Sequence, residues 1–303
     1  MKKKERIRMK LNRYNYRWDY CKICNRRTTS HLDDGTCICK SCQLNDKKQI
    51  IKEFHRINAD RKKYIKPVDK PVKDEVILIF GDLHFPFHRD GAIEFLEAVN
   101  NKYKPTRVIC TGDEIDNHAM GFHDTDPDNP GAGEELNQAI GYLKQLYKIF
   151  PKVDLVDSNH GSMVFRKAMV SGIPLRCIRS MRDILEAPKT WEWHKDYLYR
   201  MNNGQDLFVT HGLKKDTYKL AEQYGCCVAQ GHYHEDSMIR YSSSPRQLIW
   251  GCSVGCLVDD SCLSMEYNKT NMKRPILSCV VITNGIPQII PMIIKDHKWI
   301  GYL

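Results

Sequence analysis

Seven side chains of metal-ligand type recur in a fixed order along the chain. They stand in Gly81-Asp82-Leu83-His84, Gly112-Asp113-Glu114-Ile115-Asp116, Asn159-His160, His211-Gly212 and Gly231-His232-Tyr233-His234, and five of the twelve histidines fall in this series. One isolated histidine reads as a core or surface residue. An ordered set, each cluster following an apolar run, reads as a metal centre. Imidazole, carboxylate and amide oxygen together suit Mn, Fe, Zn or Ni better than a Mg-only site. Where a donor set of this kind holds two ions about 3.5–4 Å apart, they can activate a bridging water and clamp a phosphoryl group.

The order Asp-x-His, Gly-Asp, Asn-His, His, Gly-His-x-His resembles the calcineurin-like metallophosphoesterase superfamily. That superfamily spans protein phosphatases, nucleotidases, cyclic-nucleotide phosphodiesterases and DNA nucleases of the Mre11/SbcD type. The resemblance runs from about Val76 to the C-terminus. It implies an α/β (α+β) fold, a four-layer αββα sandwich. It also implies that Asp82, His84 and His234 bind a first metal, that Asp113 bridges both metals, and that Asn159, His211 and His232 bind the second. Manganese is the favoured ion, with iron, zinc and nickel as alternatives. His160 would face the substrate, stabilising the transition state or protonating the leaving oxygen. Asp116 either holds His160 by a hydrogen bond or is an ordinary loop or capping residue.

Two departures from the family pattern stand out. The family carries Glu or Asp after Gly-Asn-His, whereas this chain reads Ser158-Asn159-His160-Gly161, so support for that loop must differ. Protein phosphatases carry Gly-Asp-x-x-Asp-Arg-Gly, but here Asn117-His118 follows Asp116. The missing Arg would grip a phosphate, which counts against protein phosphatase activity.

The elements that must position these residues are legible in the apolar pattern. Buried strands are expected at Glu75–Phe80, Arg107–Thr111, Val153–Val156, Leu207–Thr210 and Cys227–Gln230. Helices are expected at Asp90–Lys102, Glu134–Phe150 and Thr217–Tyr224. Leu185–Met201 is ambiguous, with a strand-like Trp191-Glu192-Trp193 alternation. After Ser237 the pattern is mostly strand, closing with Ile276–Thr283 and Gln288–Ile294 around Asn284-Gly285, as a tight turn or a longer loop. The polar stretch from His118 through His123 to Gly131 reads as a rim loop or a plain surface loop, and its acidity opposes a long polyanion.

A second chemistry sits at the N-terminus. Cys21-x2-Cys24 and Cys39-x2-Cys42 are fourteen residues apart, close to the spacing of a four-thiolate zinc site. A module this small has almost no core, so a structural zinc would hold it together. The resemblance is to zinc ribbons. Cys37 and His31 are further candidates. Tyr14, Tyr16, Trp18 and Tyr20 share one face if the segment is a strand. With Arg13 and Arg17 they form either a base-stacking surface or the face that docks the module on the catalytic domain.

Three parts follow: a zinc-ribbon-like module at 1–48, a basic linker at 49–74 containing Lys62 and Lys63, and the catalytic domain at 75–303. Residues 1–74 hold 22 Lys and Arg against 9 Asp and Glu, while the rest of the 303-residue chain holds 25 against 28. A basic head on a near-neutral body points to a polyanionic partner, most simply nucleic acid. Arg13, Arg17, Trp18, Lys62 and Lys63 are the candidate contacts. Mean hydropathy is −0.53 and no apolar run is long enough to span a bilayer or to serve as a secretory signal. The expectation is a soluble cytoplasmic protein, of a type that bacteriophages encode in a bacterial host. Clustered cysteines in a reducing compartment favour metal over disulfides.

The leading expectation is therefore a nuclease or other phosphodiesterase acting on nucleic acid. The nearest rival is a phosphomonoesterase or cyclic-nucleotide phosphodiesterase. A rival of another class is a nucleic-acid- or protein-binding protein with a vestigial catalytic domain.

Overall fold

The computed structural model describes residues 74–121, 128–245, 247–259, 274–296 and 298–303, and the backbone at 19–20 and 27–28. The chain divides into two units, Met1–Lys66 and Pro67–Leu303. In the first, β1 (Asp19–Tyr20) pairs antiparallel with β2 (Arg27–Thr28). The candidate zinc ligands Cys21, Cys24, Cys39 and Cys42 lie outside the described residues, as do Arg13, Arg17, Trp18, Lys62, Lys63 and the 48/49 boundary.

The second unit opens with β3 (Val76–Phe80), α1 (Ala92–Tyr103), β4 (Arg107–Cys110), α2 (Ala132–Ile149) and β5 (Val153–Val156). Then come α3 (Met163–Val170), α4 (Met181–Ile184), β6 (Trp191–His194), β7 (Tyr197–Arg200), β8 (Asp206–Thr210), α5 (Thr217–Tyr224) and β9 (Cys227–Gln230). It closes on β10 (Ser237–Ser244), β11 (Gln247–Val254), β12 (Ser278–Thr283) and β13 (Ile286–Pro291), followed by the short pair β14 (Ile294–Lys295) and β15 (Lys298–Trp299). One sheet has six strands in the order β13-β12-β3-β4-β5-β6, with β3 to β6 parallel. The other has five, in the order β10-β11-β9-β8-β7, with β8, β9 and β11 parallel.

Strand alternation builds the layers. Leu78 and Phe80 of β3 point into a core shared with Phe95 and Leu96 of α1 and with Leu143 and Leu146 of α2. Ile77 and Ile79 point the other way, against Leu207, Val228 and Trp250 of the five-stranded sheet. α5 covers that sheet through Leu220 and Ala221. Helices, sheet, sheet and helix thus make an αββα sandwich. A strand covered on both faces has no polar side, which is why β3 reads as the unbroken run Val-Ile-Leu-Ile-Phe.

Helix limits have local causes. α1 ends at Lys104, which turns left-handed (φ 49°) before Pro105. α2 carries Glu134 and Glu135 in its first turn and Lys148 in its last, matching the helix dipole at both ends.

Leu185–Met201 resolves into two strands of different sheets. Trp191 is buried in the helix-side core and Tyr199 between the sheets, so the chain crosses from one layer to the next. The closing hairpin is tighter than the longer-loop alternative. Asn284 (φ 50°) and Gly285 (φ 84°) form a two-residue turn, the conformation Asn-Gly favours, and β13 begins at Ile286 rather than Gln288. α3 is not among the expected helices; it is short, and Met163 and Ala168 are its buried residues. Among the described residues no helix is long and apolar enough to cross a membrane.

Candidate metal centre

Each ligand cluster sits one to four residues past a strand end: Asp82 and His84 after β3, Asp113 after β4, Asn159 after β5, His211 after β8, His232 and His234 after β9. Parallel strands send these loops out along one edge, so residues 150 positions apart converge.

The loops approach so closely that the backbone is forced into unusual shapes. Asp82, His84, Asp113, Asn117 and His232 all have φ between 49° and 72°, a left-handed region that non-glycine residues seldom adopt. Such strain collects where surrounding contacts over-determine it. The glycine of Gly231-His232 has a steric reason: a Cβ there would lie 2.2 Å from Asp82 Oδ2 and 2.6 Å from Thr111 Oγ1.

Two triads result. In the first, His234 Nε2 is 3.2 Å from His84 Nε2 and 3.2 Å from Asp82 Oδ1. Asp82 Oδ1 also accepts the His232 backbone N–H at 2.8 Å, while buried Asp82 Oδ2 has no hydrogen-bond partner. In the second, Asp113 gathers with His211 and His232. His211 Nε2 is 3.0 Å from Asp113 Oδ2 and 2.6 Å from Asn159 Oδ1. Asp113 Oδ2 is also 3.6 Å from His84 Nε2, which places it between the triads.

This donor chemistry fits a metal pair. His211 Nδ1 donates to the Thr111 carbonyl at 2.8 Å, so Nε2 turns its lone pair toward two oxygens. A cation must lie among them, either a proton or a metal ion. Burial disfavours a charged His211, but the Asp113 carboxylate outweighs burial and lifts its pKa to about 9. Burial likewise opposes ionisation of Asp113, yet His211 and the neighbouring imidazoles hold its carboxyl well below the ordinary range. At the first triad, His84 Nδ1 faces Asp116 Oδ1 at 2.5 Å, which leaves its Nε2 free to coordinate beside the orphaned Asp82 oxygen.

His160 lies against the cluster with its ring 4.6 Å from the His84 ring, and its side chain is 23% exposed. Its Nδ1 faces the Asp116 carbonyl and, at 3.2 Å, Asp116 Oδ1. Asp116 thus meets His84 through its carboxylate and His160 through its backbone carbonyl, and it does not cap a helix. His118 begins a 3-10 turn, His118–Met120, whose N–H groups at His118 and Ala119 are taken by buried Glu135.

All nine candidate active-site residues are brought together by these contacts. Sequence reasoning overlooked three residues that surround them, two of which hydrogen-bond to their backbone. Asn117 Nδ2 donates to the His160 carbonyl at 2.9 Å. Arg166 Nη1 donates to the Asn159 carbonyl at 3.2 Å. Glu114, 2% exposed, accepts Trp193 Nε1 at 3.0 Å. Only Glu114 gave any signal, as a charge inside an otherwise ligand-bearing motif.

No protein-family description and no curated protein matches the chain. Solved structures are similar at low identity. Vacuolar Protein Sorting 29 from Cryptosporidium parvum is 13% identical, with 72% of this chain and 96% of that chain covered and a TM-score of 0.38. YfcE, a phosphoesterase from E. coli, is 16% identical, with 74% and 96% covered and a TM-score of 0.38. Chaetomium thermophilum Vps29 is 11% identical, with 74% and 89% covered and a TM-score of 0.39.

Proposed function

We propose that the protein is a binuclear metal-dependent phosphoester hydrolase. The observation that carries this reading is Asp113 Oδ2, 3.0 Å from His211 Nε2 and 3.6 Å from His84 Nε2, one carboxylate oxygen placed between two ligand sets. Asp82, His84 and His234 would hold one ion, Asn159, His211 and His232 the other, with Asp113 shared. Bound there, the ions supply a water activated near neutral pH and neutralise phosphoryl oxygens.

The chain's own residues supply the rest. The Asp116 carbonyl accepts from His160 Nδ1, so Nε2 is the nitrogen turned outward, and in the imidazolium form it would give its proton to the leaving oxygen and be left neutral. The Asp113 carboxylate accepts the His160 backbone N–H at 3.0 Å, tying the acid to the bridging ligand. A complete donor set disfavours the vestigial-domain alternative.

The finer reading is a phosphodiesterase acting on nucleic acid, with a zinc-ribbon-like head at 1–48 and a basic linker at 49–74 as the tether. Its support is the charge imbalance of 22 cationic against 9 acidic residues within 1–74. Salt would then weaken binding steeply. The test is Mn-dependent cleavage of end-labelled single- and double-stranded DNA, RNA and bis(p-nitrophenyl) phosphate, with His160→Ala as control. Cleavage of the chromogenic diester alone would move the substrate to small phosphoesters. No hydrolysis of anything by metal-loaded protein would sink the hydrolase reading.

A further inference from the structure

Asn159 and His160 belong to one tight turn, and a single neighbouring loop grips it from several sides. Asp113 Oδ1 accepts the His160 N–H, Asn117 Nδ2 donates to the His160 carbonyl, and Asp116 faces the His160 ring. Between Asp113 and Asn117 the remaining residue with a polar side chain is Glu114. It enters a small cavity beneath the turn, lined by Val156, Ser158, Gly161, Phe165, Met181 and Trp193.

Gly161 forms part of the roof of that cavity. Its φ is not left-handed, so the backbone conformation does not demand glycine. Space does: a Cβ there would lie 2.9 Å from Ser158 Oγ and 3.8 and 3.9 Å from the two Glu114 carboxylate oxygens. The Glu114 carboxylate therefore lies in contact distance beneath residue 161, and its Oε1 accepts the Trp193 indole N–H at 3.0 Å. Among the described residues no cation pairs with it.

We infer that Glu114 and Trp193 are positioning residues for the second metal: together they set the height of the Asn159-His160 turn over Asp113 and His211. The inference rests on the binuclear reading above. It also answers the departure in sequence: the polar group under this turn comes from the residue after the bridging aspartate, and residue 161 packs directly over it.

Mn2+ titration calorimetry on the full chain tests this, with Glu114→Ala, Glu114→Gln, Trp193→Phe and Glu114→Ala/Gly161→Glu. The parent should bind two equivalents. Glu114→Ala should weaken the second by about 10–100-fold and leave the first unchanged. Glu114→Gln should stay within about 3-fold of the parent, because it keeps an acceptor for Trp193. Trp193→Phe should fall between them. The double variant should recover part of the loss, since a side chain at 161 then refills the emptied space. If Glu114→Ala does not fold, Trp193→Phe and the double variant carry the measurement. Two parent-like equivalents in Glu114→Ala would overturn the inference and leave the hydrolase reading standing. A parent that binds no Mn2+ would overturn the binuclear reading itself.

Discussion

Asp116 Oδ1 lies 2.5 Å from His84 Nδ1, and the same oxygen is 3.2 Å from His160 Nδ1. One residue therefore meets a candidate metal ligand through its carboxylate and the candidate acid through its carbonyl, with the carboxylate close to both rings, which meet edge-on. Removing it should damage both functions. Asp116→Ala should lower affinity for the first metal by about 10–100-fold. It should also cut turnover at saturating metal, because His160 keeps the Asp116 carbonyl at Nδ1 but loses the carboxylate oxygen 3.2 Å from it. Metal-binding isotherms and kcat at saturating Mn2+ separate the two losses. A kcat restored in full by excess metal would leave Asp116 a role at His84 alone.

His160 itself makes a sharper case. It is not placed between the triads, and the hydrogen bonds of its backbone survive truncation of the ring. His160→Ala should reduce kcat on a phosphodiester by about 10²–10⁴-fold, while metal content stays at that of the parent. Loss of a metal equivalent in this variant would make His160 a ligand and not an acid.

These roles show how far the sequence could lead. Asp-x-His, Gly-Asp and Gly-His-x-His were legible because coordination needs several scarce side chains within a few residues of strand ends. The parallel strands were legible because burial on both faces leaves unbroken apolar runs, as in Val76–Phe80. Asn117 and Glu114 were not, since a side chain that meets a carbonyl or an indole from another loop leaves no periodic trace. The passage from Trp191 to Tyr199 was hidden for a related reason: its two strands belong to different sheets, and the alternation of one does not continue into the other.

Close approach of the loops predicts opposite outcomes for one type of substitution. Gly231→Ala places a methyl 2.2 Å from Asp82 Oδ2 and must displace that ligand. It should cost about 1–3 kcal/mol in stability and abolish binding at the first metal site. Gly141 lies inside α2, exposed, with nothing within 4 Å of its Cβ position. Gly141→Ala should stabilise the protein by about 0.5–1 kcal/mol. Thermal unfolding of both variants, with metal content measured in parallel, checks the pair; a stable, metal-replete Gly231→Ala would show that the loops can separate without loss.

Away from the metal centre, Asp154 predicts a pH dependence of stability. Burial raises its pKa, but His194, Tyr197 and Arg107 outweigh burial and hold the carboxyl below the ordinary range. The Arg107 guanidinium is 2.8 Å from Asp154 Oδ2 and 2.8 Å from the Tyr197 hydroxyl. A folded-state pKa below the unfolded value of about 3.9 means that the unfolded chain binds the proton more tightly. The stabilisation is therefore complete above about pH 4–5 and is lost as pH falls through the folded pKa. Asp154→Asn should be about 1–3 kcal/mol less stable than the parent at pH 6–7, the scale of a charged hydrogen bond. That gap should close progressively below pH 4. Urea unfolding of both proteins from pH 3 to pH 7 measures it; a gap that stays constant across the range would mean that Asp154 acts by shape and not by charge.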